Sequence, residues 1–107
     1  MRSMRDQQRQ VAVLEQVARG AAEHELGDAR MARALLDDAN FENSDFARAD
    51  LTGARLVNLR APLSIFSGAR CQGAQMARGA FIDCDFAHAD LSAADCTGAD
   101  FSGADLH

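Results

Sequence analysis

Small, polar and large apolar residues recur along this chain with a period of five. From Ala39 to Leu106, a small residue, a residue that is usually polar and a larger apolar residue are followed by two residues that must turn the chain. On extended backbone, residues two apart point to the same side, so the small and the large residue face one interior. Self-similarity at a fixed period is typical of solenoids, whose repeats pack only on their neighbours.

Neither an α-helix nor a flat sheet accommodates this period. Five residues turn about 140° beyond a full circle of an α-helix with roughly 3.6 residues per turn, which would scatter the apolar positions around it. A continuous strand has a period of two. The pattern therefore predicts short extended sides, each followed by a corner, with every side stacked on its equivalent in the next coil.

The repeated motif is that of a known family. Ala-Asp-Leu-x-x stands at residues 49–53 and 89–93, and phenylalanine variants of it stand at residues 39–43 and 99–103. On these residues the chain resembles the pentapeptide-repeat proteins. The resemblance implies an all-β solenoid, which is a right-handed quadrilateral β-helix of about four coils with four five-residue sides in each coil.

In a four-sided coil, equivalent sides recur every twenty residues. Leu59 and Ala61 exchange the usual sizes, because the large residue stands in the small slot and the small residue in the large one. We expect this exchange to keep the core volume roughly constant, which cores tolerate better than a net change. Two columns are predicted to stack in the core: Phe46, Phe66 and Phe86 in one, and Phe41, Ala61, Phe81 and Phe101 in the other.

The first residues follow a different period. Val11, Leu14 and Ala18 lie at helical spacing, and charged residues occupy the opposite face. We predict an N-terminal amphipathic capping α-helix in residues 1–24, followed by the pentapeptide-repeat β-helix in residues 25–107. The cap would cover the edge of the first coil, and the alternative is a docking or dimerisation element. Residues 28–37 fit either a short helix or the first coil, and we favour the coil.

Composition narrows the class of protein. The chain has 107 residues, no lysine and a formal net charge of −5. Cys71, Cys84 and Cys96 fall on inward positions, where a reduced thiol acts as a small apolar filler, so we expect a reducing, cytoplasmic location. No stretch approaches the roughly 20 apolar residues of a membrane span. We expect neither a membrane nor direct nucleic-acid contact, because the chain is acidic and lacks exposed aromatic residues.

The sequence contains no recognisable catalytic or ligand-binding constellation. Its three histidines lie far apart in the repeat frame. No Ser-His-Asp arrangement, metal-ligand spacing or phosphate-binding loop is present. We therefore expect a protein that is not an enzyme and needs no cofactor, and that serves as an interaction module or scaffold for an unidentified protein partner.

Two unusual sets of outward residues are candidate contact surfaces. Residues 81–107 contain six aspartates and no arginine, and we call these aspartates the acidic collar. The collar either serves solubility and protects the last edge or binds a basic partner. Apolar residues in outward slots are predicted to cluster at one corner and to contact either a partner or the N-terminal helix. The collar comprises Asp83, Asp85, Asp90, Asp95, Asp100 and Asp105, and the apolar cluster comprises Pro62, Leu63, Ile65 and Ile82.

The last coil and the family resemblance add two hypotheses. The chain stops in mid-pattern, so either two copies stack end to end through Phe101 and Leu106 as a homodimer or the chain was cut at this point. The family includes proteins that resemble duplex DNA to type II topoisomerases, so the alternative function is gyrase modulation with quinolone resistance. Duplex DNA carries roughly a dozen charges over the length of four coils. The net charge of −5 weakens this alternative.

Overall fold

In the computed structural model, residues 26–107 are described, and they form one solenoid of five-residue sides. Parallel β-bridges join each outward residue to the residue twenty positions later, from Arg30 with Asp50 to Asp85 with Asp105. Twenty residues therefore make one coil, and four sides close it into a quadrilateral β-helix. Each side contributes one bridging residue and is shorter than a continuous strand. The predicted capping helix lies outside the described residues.

We number the four sides by their outward columns, in which successive members bridge to one another. The two residues that precede each side form the corner before it. Side 1 carries Arg30, Asp50, Arg70 and Asp90; side 2 carries Leu35, Arg55, Gln75 and Asp95; side 3 carries Asn40, Arg60, Ala80 and Asp100; side 4 carries Asp45, Ile65, Asp85 and Asp105.

Backbone hydrogen bonds connect each side to the coils before and after it. Asp50 N–H donates to Ala29 O of the previous coil at 2.9 Å, and Leu51 N–H donates to Arg70 O of the next coil at 2.7 Å. A corner amide adds a third bond, as Gly53 N–H does to the carbonyl of residue 72 at 2.8 Å. These bonds recur at every five-residue step, so the register is fixed at each side even though no long strand is present.

The second residue of every corner from residue 28 to residue 103 has a positive φ. Ala54 N–H donates to Leu51 O at 3.0 Å across such a corner, as in a type II turn. Five of these second positions are glycine and eleven are not. Leu63 holds φ 61°, a conformation that is unfavourable for a bulky aliphatic side chain. Arg33, Arg48 and Arg78 take the same conformation, and Leu63 differs from the rest of the series in having a large aliphatic side chain.

The interior contains the predicted phenylalanine column. The ring centroid of Phe66 lies 4.9 Å from that of Phe46 and 4.8 Å from that of Phe86, and the planes are within 4° of parallel. All three side chains are at most 1% exposed. Because offset aromatic pairs add to the free energy of burial, this column stabilises the packing of three successive coils.

The exchange of sizes at Leu59 and Ala61 involves a third residue. Leu59 is 1% exposed and Ala61 is 0% exposed. In the next coil, Gly79 occupies the small slot equivalent to Leu59, and a Cβ atom built on Gly79 would overlap the ring of Phe81. The ring thus takes space that a side chain at position 79 would need.

Residues 28–37 belong to the first coil. Arg30 bridges to Asp50, and Leu35 bridges to Arg55. Met31 is 2% exposed in the core. These residues therefore form coil sides as we predicted, and the alternative of a short helix is wrong.

Candidate interaction surface

The structure distributes the acidic collar around the solenoid. One collar aspartate lies on each of sides 1, 2 and 3, whereas three lie on side 4 or on the corner before it. Those three are Asp83, Asp85 and Asp105, of which the last two bridge to each other. The collar is therefore a ring of separated charges, and only side 4 brings several of them together.

Collar carboxylates are held by the corners that follow them. Asp100 Oδ1 accepts the Ser102 amide at 2.9 Å and the Ser102 hydroxyl at 2.5 Å. Asp90 and Asp95 make the same two bonds with the hydroxyl residue two positions later. The hydroxyl bonds, followed by the amide bonds, lower the pKa of these three carboxyl groups. Each of these aspartates thus stabilises the corner that follows it. The Asp-x-Ser or Asp-x-Thr spacing in the sequence could have indicated this role.

Arginine ion pairs within residues 26–107 lie in the earlier coils. Arg48 binds Asp28 through two hydrogen bonds of 3.0 and 3.1 Å. Arg70 Nη2 lies 3.9 Å from the Asp50 carboxylate, whereas Asp90, the next residue of side 1, accepts from the Gln72 amide at 2.6 Å. Exposed pairs of this kind contribute little to stability, because solvent and salt screen them. Residues 26–80 contain seven arginines and six acids, and residues 81–107 contain six acids and no arginine.

Exposed apolar residues gather on side 4 and on the corner before it. Leu63 is 55% exposed, Ile65 41% and Ile82 36%. Leu63 N–H donates to Ile82 O at 2.9 Å, so these two residues lie on neighbouring coils. Ile65 bridges to Asp45 on one side and to Asp85 on the other. The structure places the predicted cluster at one corner, and its role in partner binding stays a prediction.

These residues belong to one surface, which we call the side-4 face. It comprises the outward residues of side 4 and of the corner before it, and it contains five acids, four apolar residues and no arginine or lysine. Leu35, which is 67% exposed on side 2, bridges instead to Arg55. The members of the side-4 face are Glu42, Asn43, Asp45, Pro62, Leu63, Ile65, Ile82, Asp83, Asp85, Ser102, Gly103 and Asp105.

The last coil is less buried than the coils before it. Leu91 and Phe101 are half-buried, and Leu106 is 56% exposed. Phe101 still contacts the core, because its ring centroid lies 5.2 Å from that of Phe81 and 5.4 Å from that of Phe86. Contact between two copies through Phe101 and Leu106 stays a prediction.

Neither a metal-binding cluster nor a membrane-spanning helix is found within residues 26–107. No group of three His, Cys, Asp or Glu side chains there is placed to hold a metal ion. No helix in this range is long and apolar enough to cross a bilayer. Burial raises the pKa of Cys71 to about 12 and that of Cys84 to about 11. Cys84 Sγ–H donates to Ala61 O at 2.7 Å. Such protonated thiols act as packing groups and not as nucleophiles.

Known proteins share this architecture. The family model described as Pentapeptide repeats matches residues 25–61 and 69–107 with eight copies. The chain therefore belongs to the pentapeptide-repeat family, whose members fold as right-handed quadrilateral β-helices. No curated protein matches the chain.

Solved structures of family members are similar to this chain. HetL, a pentapeptide-repeat protein involved in heterocyst differentiation regulation from the cyanobacterium Nostoc sp. strain PCC 7120, is 28% identical with a TM-score of 0.76. The match covers 77% of this chain and 38% of HetL. Rfr23 from the cyanobacterium Cyanothece 51142 is 15% identical with a TM-score of 0.60, over 80% of this chain and 59% of Rfr23. The chain thus spans less than two thirds of either protein.

A third similar structure is that of QnrB1, a plasmid-mediated fluoroquinolone resistance protein. It is 18% identical, and the match covers 80% of this chain and 72% of QnrB1. Its TM-score of 0.36 is too low to carry an argument about function.

Proposed function

We propose that this protein is a non-catalytic scaffold that binds a protein partner through the side-4 face. The observation that carries the proposal is the gathering of Leu63, Ile65 and Ile82, each more than a third exposed, among five acids. An exposed apolar cluster rimmed by charged residues is typical of a protein contact surface. The charge of the rim favours a partner that presents apolar side chains beside arginine or lysine.

The fold suits such a role because it holds its outward side chains in fixed places. Hydrogen bonds between coils fix the backbone at each five-residue step. Equivalent outward residues of successive coils therefore recur about every 4.8 Å. A preordered surface loses less conformational entropy when it binds than a flexible one does. The described backbone thus holds the side chains of the side-4 face at fixed and regular positions.

We do not propose a catalytic role, because the reactive groups are either buried or bonded to their own corners. Cys71 and Cys84 are buried with raised pKa values. Asp90, Asp95 and Asp100 are bonded to their own corners. Buried thiols and carboxylates that are bonded to their own corners do not favour nucleophilic or acid–base catalysis. The free thiols support a reducing compartment, and we place the protein in the cytoplasm.

A matched variant tests the binding surface. The side-4 triple variant combines Leu63→Asn, Ile65→Asn and Ile82→Ser, which should fold because Asn43 and Ser102 occupy the slots of Leu63 and Ile82 in other coils. Crosslinking in cells of the source organism, followed by mass spectrometry, compares the wild-type chain with the variant. We expect a protein that crosslinks to the wild type and is reduced at least about tenfold with the variant.

The control is Leu35→Asn, which removes a leucine that is more exposed than Leu63 and lies on another side. It should retain the crosslinked protein. A partner captured equally by the wild type and by the side-4 triple variant would show that another surface binds it. This result would contradict the proposal.

The alternative function is DNA mimicry toward a type II topoisomerase. The acidic collar favours it, because residues 81–107 contain six acids and no arginine. The earlier coils oppose it, since residues 26–107 together have seven arginines against twelve acids, a net charge of −5. Duplex DNA over the length of four coils carries roughly a dozen charges. Altered gyrase supercoiling that is lost when Asp90, Asp95 and Asp100 become asparagine would favour mimicry over the scaffold.

Contact between two copies is a further part of the proposal. The exposure of Leu106 and the partial exposure of Phe101 support an apolar contact at the last coil. Light scattering at several chain concentrations tests it. A mass that stays monomeric at every concentration would contradict the dimer, and a dimer lost on Phe101→Ser with Leu106→Ser would support it.

A further inference from the structure

The chain enters the described solenoid at side 4, next to the side-4 face. Leu26 N–H donates to Asp45 O at 2.7 Å. Asp45 bridges to Ile65 of the following coil. Ile65 therefore lies two coil steps, about 10 Å, from the point at which the chain enters the solenoid.

The length of chain before this point is sufficient to reach the apolar cluster. Twenty-five residues precede Leu26. Residues 21–25 alone span up to about 16 Å when extended. Residues 1–20 can therefore reach Leu63, Ile65 and Ile82 while the solenoid keeps its described geometry.

The chemistry of residues 1–20 complements that of the side-4 face. Val11, Leu14 and Ala18 form an apolar stripe at helical spacing. The same segment has four arginines and two acids, a net charge of +2. The side-4 face has apolar residues among five acids, and no ion pair joins these acids to an arginine of residues 26–107. Opposite charge around two apolar surfaces favours their contact and sets their orientation.

The backbone of Leu63 provides an independent observation. Leu63 has φ 61° and is 55% exposed. The equivalent corner positions with positive φ carry Gly, Asn, Asp, Arg, His or Ala. The repeat imposes this φ on every residue of the series, so what distinguishes Leu63 is a large aliphatic side chain held at the surface. Contact with another apolar surface would remove this side chain from water.

We infer that residues 1–20 dock on the side-4 face, with their apolar stripe against Leu63, Ile65 and Ile82 and their arginines towards the surrounding acids. Tethered by residues 21–25, the segment has an effective concentration in the millimolar range, on the order expected for a short linker. A partner must displace it to bind the side-4 face. This regulatory meaning rests on the proposed function, whereas the contact itself is a property of the purified chain.

Hydrogen exchange of the full-length chain, followed by mass spectrometry, tests the contact. Isolated helices shorter than about 12–15 residues are marginal in water, so slow exchange in residues 8–19 requires packing against the solenoid. We expect these amides to exchange at least about tenfold more slowly in the wild type than in the side-4 triple variant. Unchanged exchange in residues 41–86 would show that the variant remains folded.

The controls separate this contact from its alternatives. Leu35→Asn should leave residues 8–19 protected as in the wild type. Equal protection in the wild type and the side-4 triple variant would place the segment elsewhere, for example on the edge of the first coil, and would overturn the inference. Absence of protection in the wild type would overturn it as well. Protection lost on tenfold dilution would assign the contact to a second copy and not to the same chain.

A pair of charge variants tests the electrostatic part. Asp83→Asn with Asp85→Asn removes two charges from the side-4 face and should speed exchange in residues 8–19 by about twofold or more. Asp90→Asn with Asp95→Asn removes two charges from sides 1 and 2 and should have no effect. Equal effects from both pairs would assign the attraction to net charge and overturn the placement. Partner capture does not enter these measurements, so this inference can fail while the proposed function stands.

Discussion

The coils of residues 41–86 and the coil of residues 87–107 follow one five-residue pattern but differ in burial. Leu51 is 1% exposed, whereas Leu91, in the same column of the last coil, is half-buried. Phe66 is 0% exposed, whereas Phe101, in the large slot of another side of the last coil, is half-buried. In a solenoid each inward side chain is covered by the coil before it and the coil after it. Burial is therefore set by position along the axis as much as by the type of residue.

The coils before residue 87 and the last coil also differ in how some of their acids are bound. In the earlier coils, Asp28 is bound by Arg48, twenty residues later, so the interaction joins two coils. In the last coil, Asp100 is bound by Ser102, two residues later, so the interaction stays within one corner. The corner bond itself also occurs in the earlier coils, at Asp45 and Asp50. What distinguishes the earlier coils is therefore the arginine pair between coils.

The largest expected contrast is between Phe66→Ala and Phe101→Ala. Phe66 stacks between two parallel rings and is fully buried, so its removal should lower the free energy of unfolding by about 3–5 kcal/mol. Phe101 has neighbours on one side among the described residues, so its removal should cost about 1–2 kcal/mol. Urea denaturation followed by circular dichroism measures both values. Equal losses would contradict the dependence of burial on position.

The cysteines extend the contrast to chemical reactivity. Burial raises the pKa of Cys71 to about 12, and Cys71 is fully buried. Burial, and then the charge of Asp95, also raises the pKa of Cys96, which is only partly buried in the last coil. At pH 8, iodoacetamide should modify Cys96 on the order of a hundredfold faster than Cys71 or Cys84.

Peptide mapping after timed labelling of the native chain gives the order of reaction. In urea all three cysteines should react at similar rates, which serves as the control. Modification of Cys71 at the same rate as Cys96 in the native chain would show that the middle coils open as readily as the last one.

Much of the fold follows from the sequence, because one rule places most of the side chains. The repeat, together with the four sides implied by the family resemblance, predicted the Phe46, Phe66 and Phe86 column and the corner at which Leu63 and Ile82 lie together. The number of sides came from the family resemblance, since a period of five is compatible with coils of different sizes. The structure supplies it through bridges between residues twenty apart.

Other features could not be predicted because they depend on side-chain geometry. The exchange of Leu59 and Ala61 was predicted to conserve volume, but the involvement of Gly79 depends on where the ring of Phe81 lies. The hydrogen bond from the Ser102 hydroxyl to Asp100 was not predicted either, although the Asp-x-Ser spacing could have indicated it.

Gly79→Ala tests the packing of the Phe81 ring over position 79, and its effect on stability should be intermediate in size. The added methyl group would overlap the ring of Phe81, and overpacking of a core costs about 1–3 kcal/mol. Gly79→Ala combined with Phe81→Leu should recover part of that loss, because leucine lacks the overlapping ring. Thermal unfolding of the single and double variants measures the coupling. Additive losses would show that the ring of Phe81 is not the obstacle.

The smallest expected effect distinguishes the two ways of holding an acid. The Arg48 hydrogen bonds, with the arginine charge, lower the pKa of Asp28, whereas the Ser102 hydroxyl and amide lower that of Asp100. Because both folded-state values are depressed, both acids favour the folded state above the unfolded pKa near 3.8. This contribution is lost as the pH falls through the folded values.

Salt separates the two cases, because it screens an exposed ion pair more strongly than a hydrogen bond within a turn. In 1 M NaCl, where the Debye length is about 3 Å, the pKa of Asp28 should rise and that of Asp100 should stay nearly unchanged. Carboxyl titration followed by NMR measures both pKa values. Ser102→Ala should raise the pKa of Asp100 at any salt concentration. An equal response of both acids to salt would mean that the last coil is held by long-range charge, and the distinction between stacking and corner interactions would not hold.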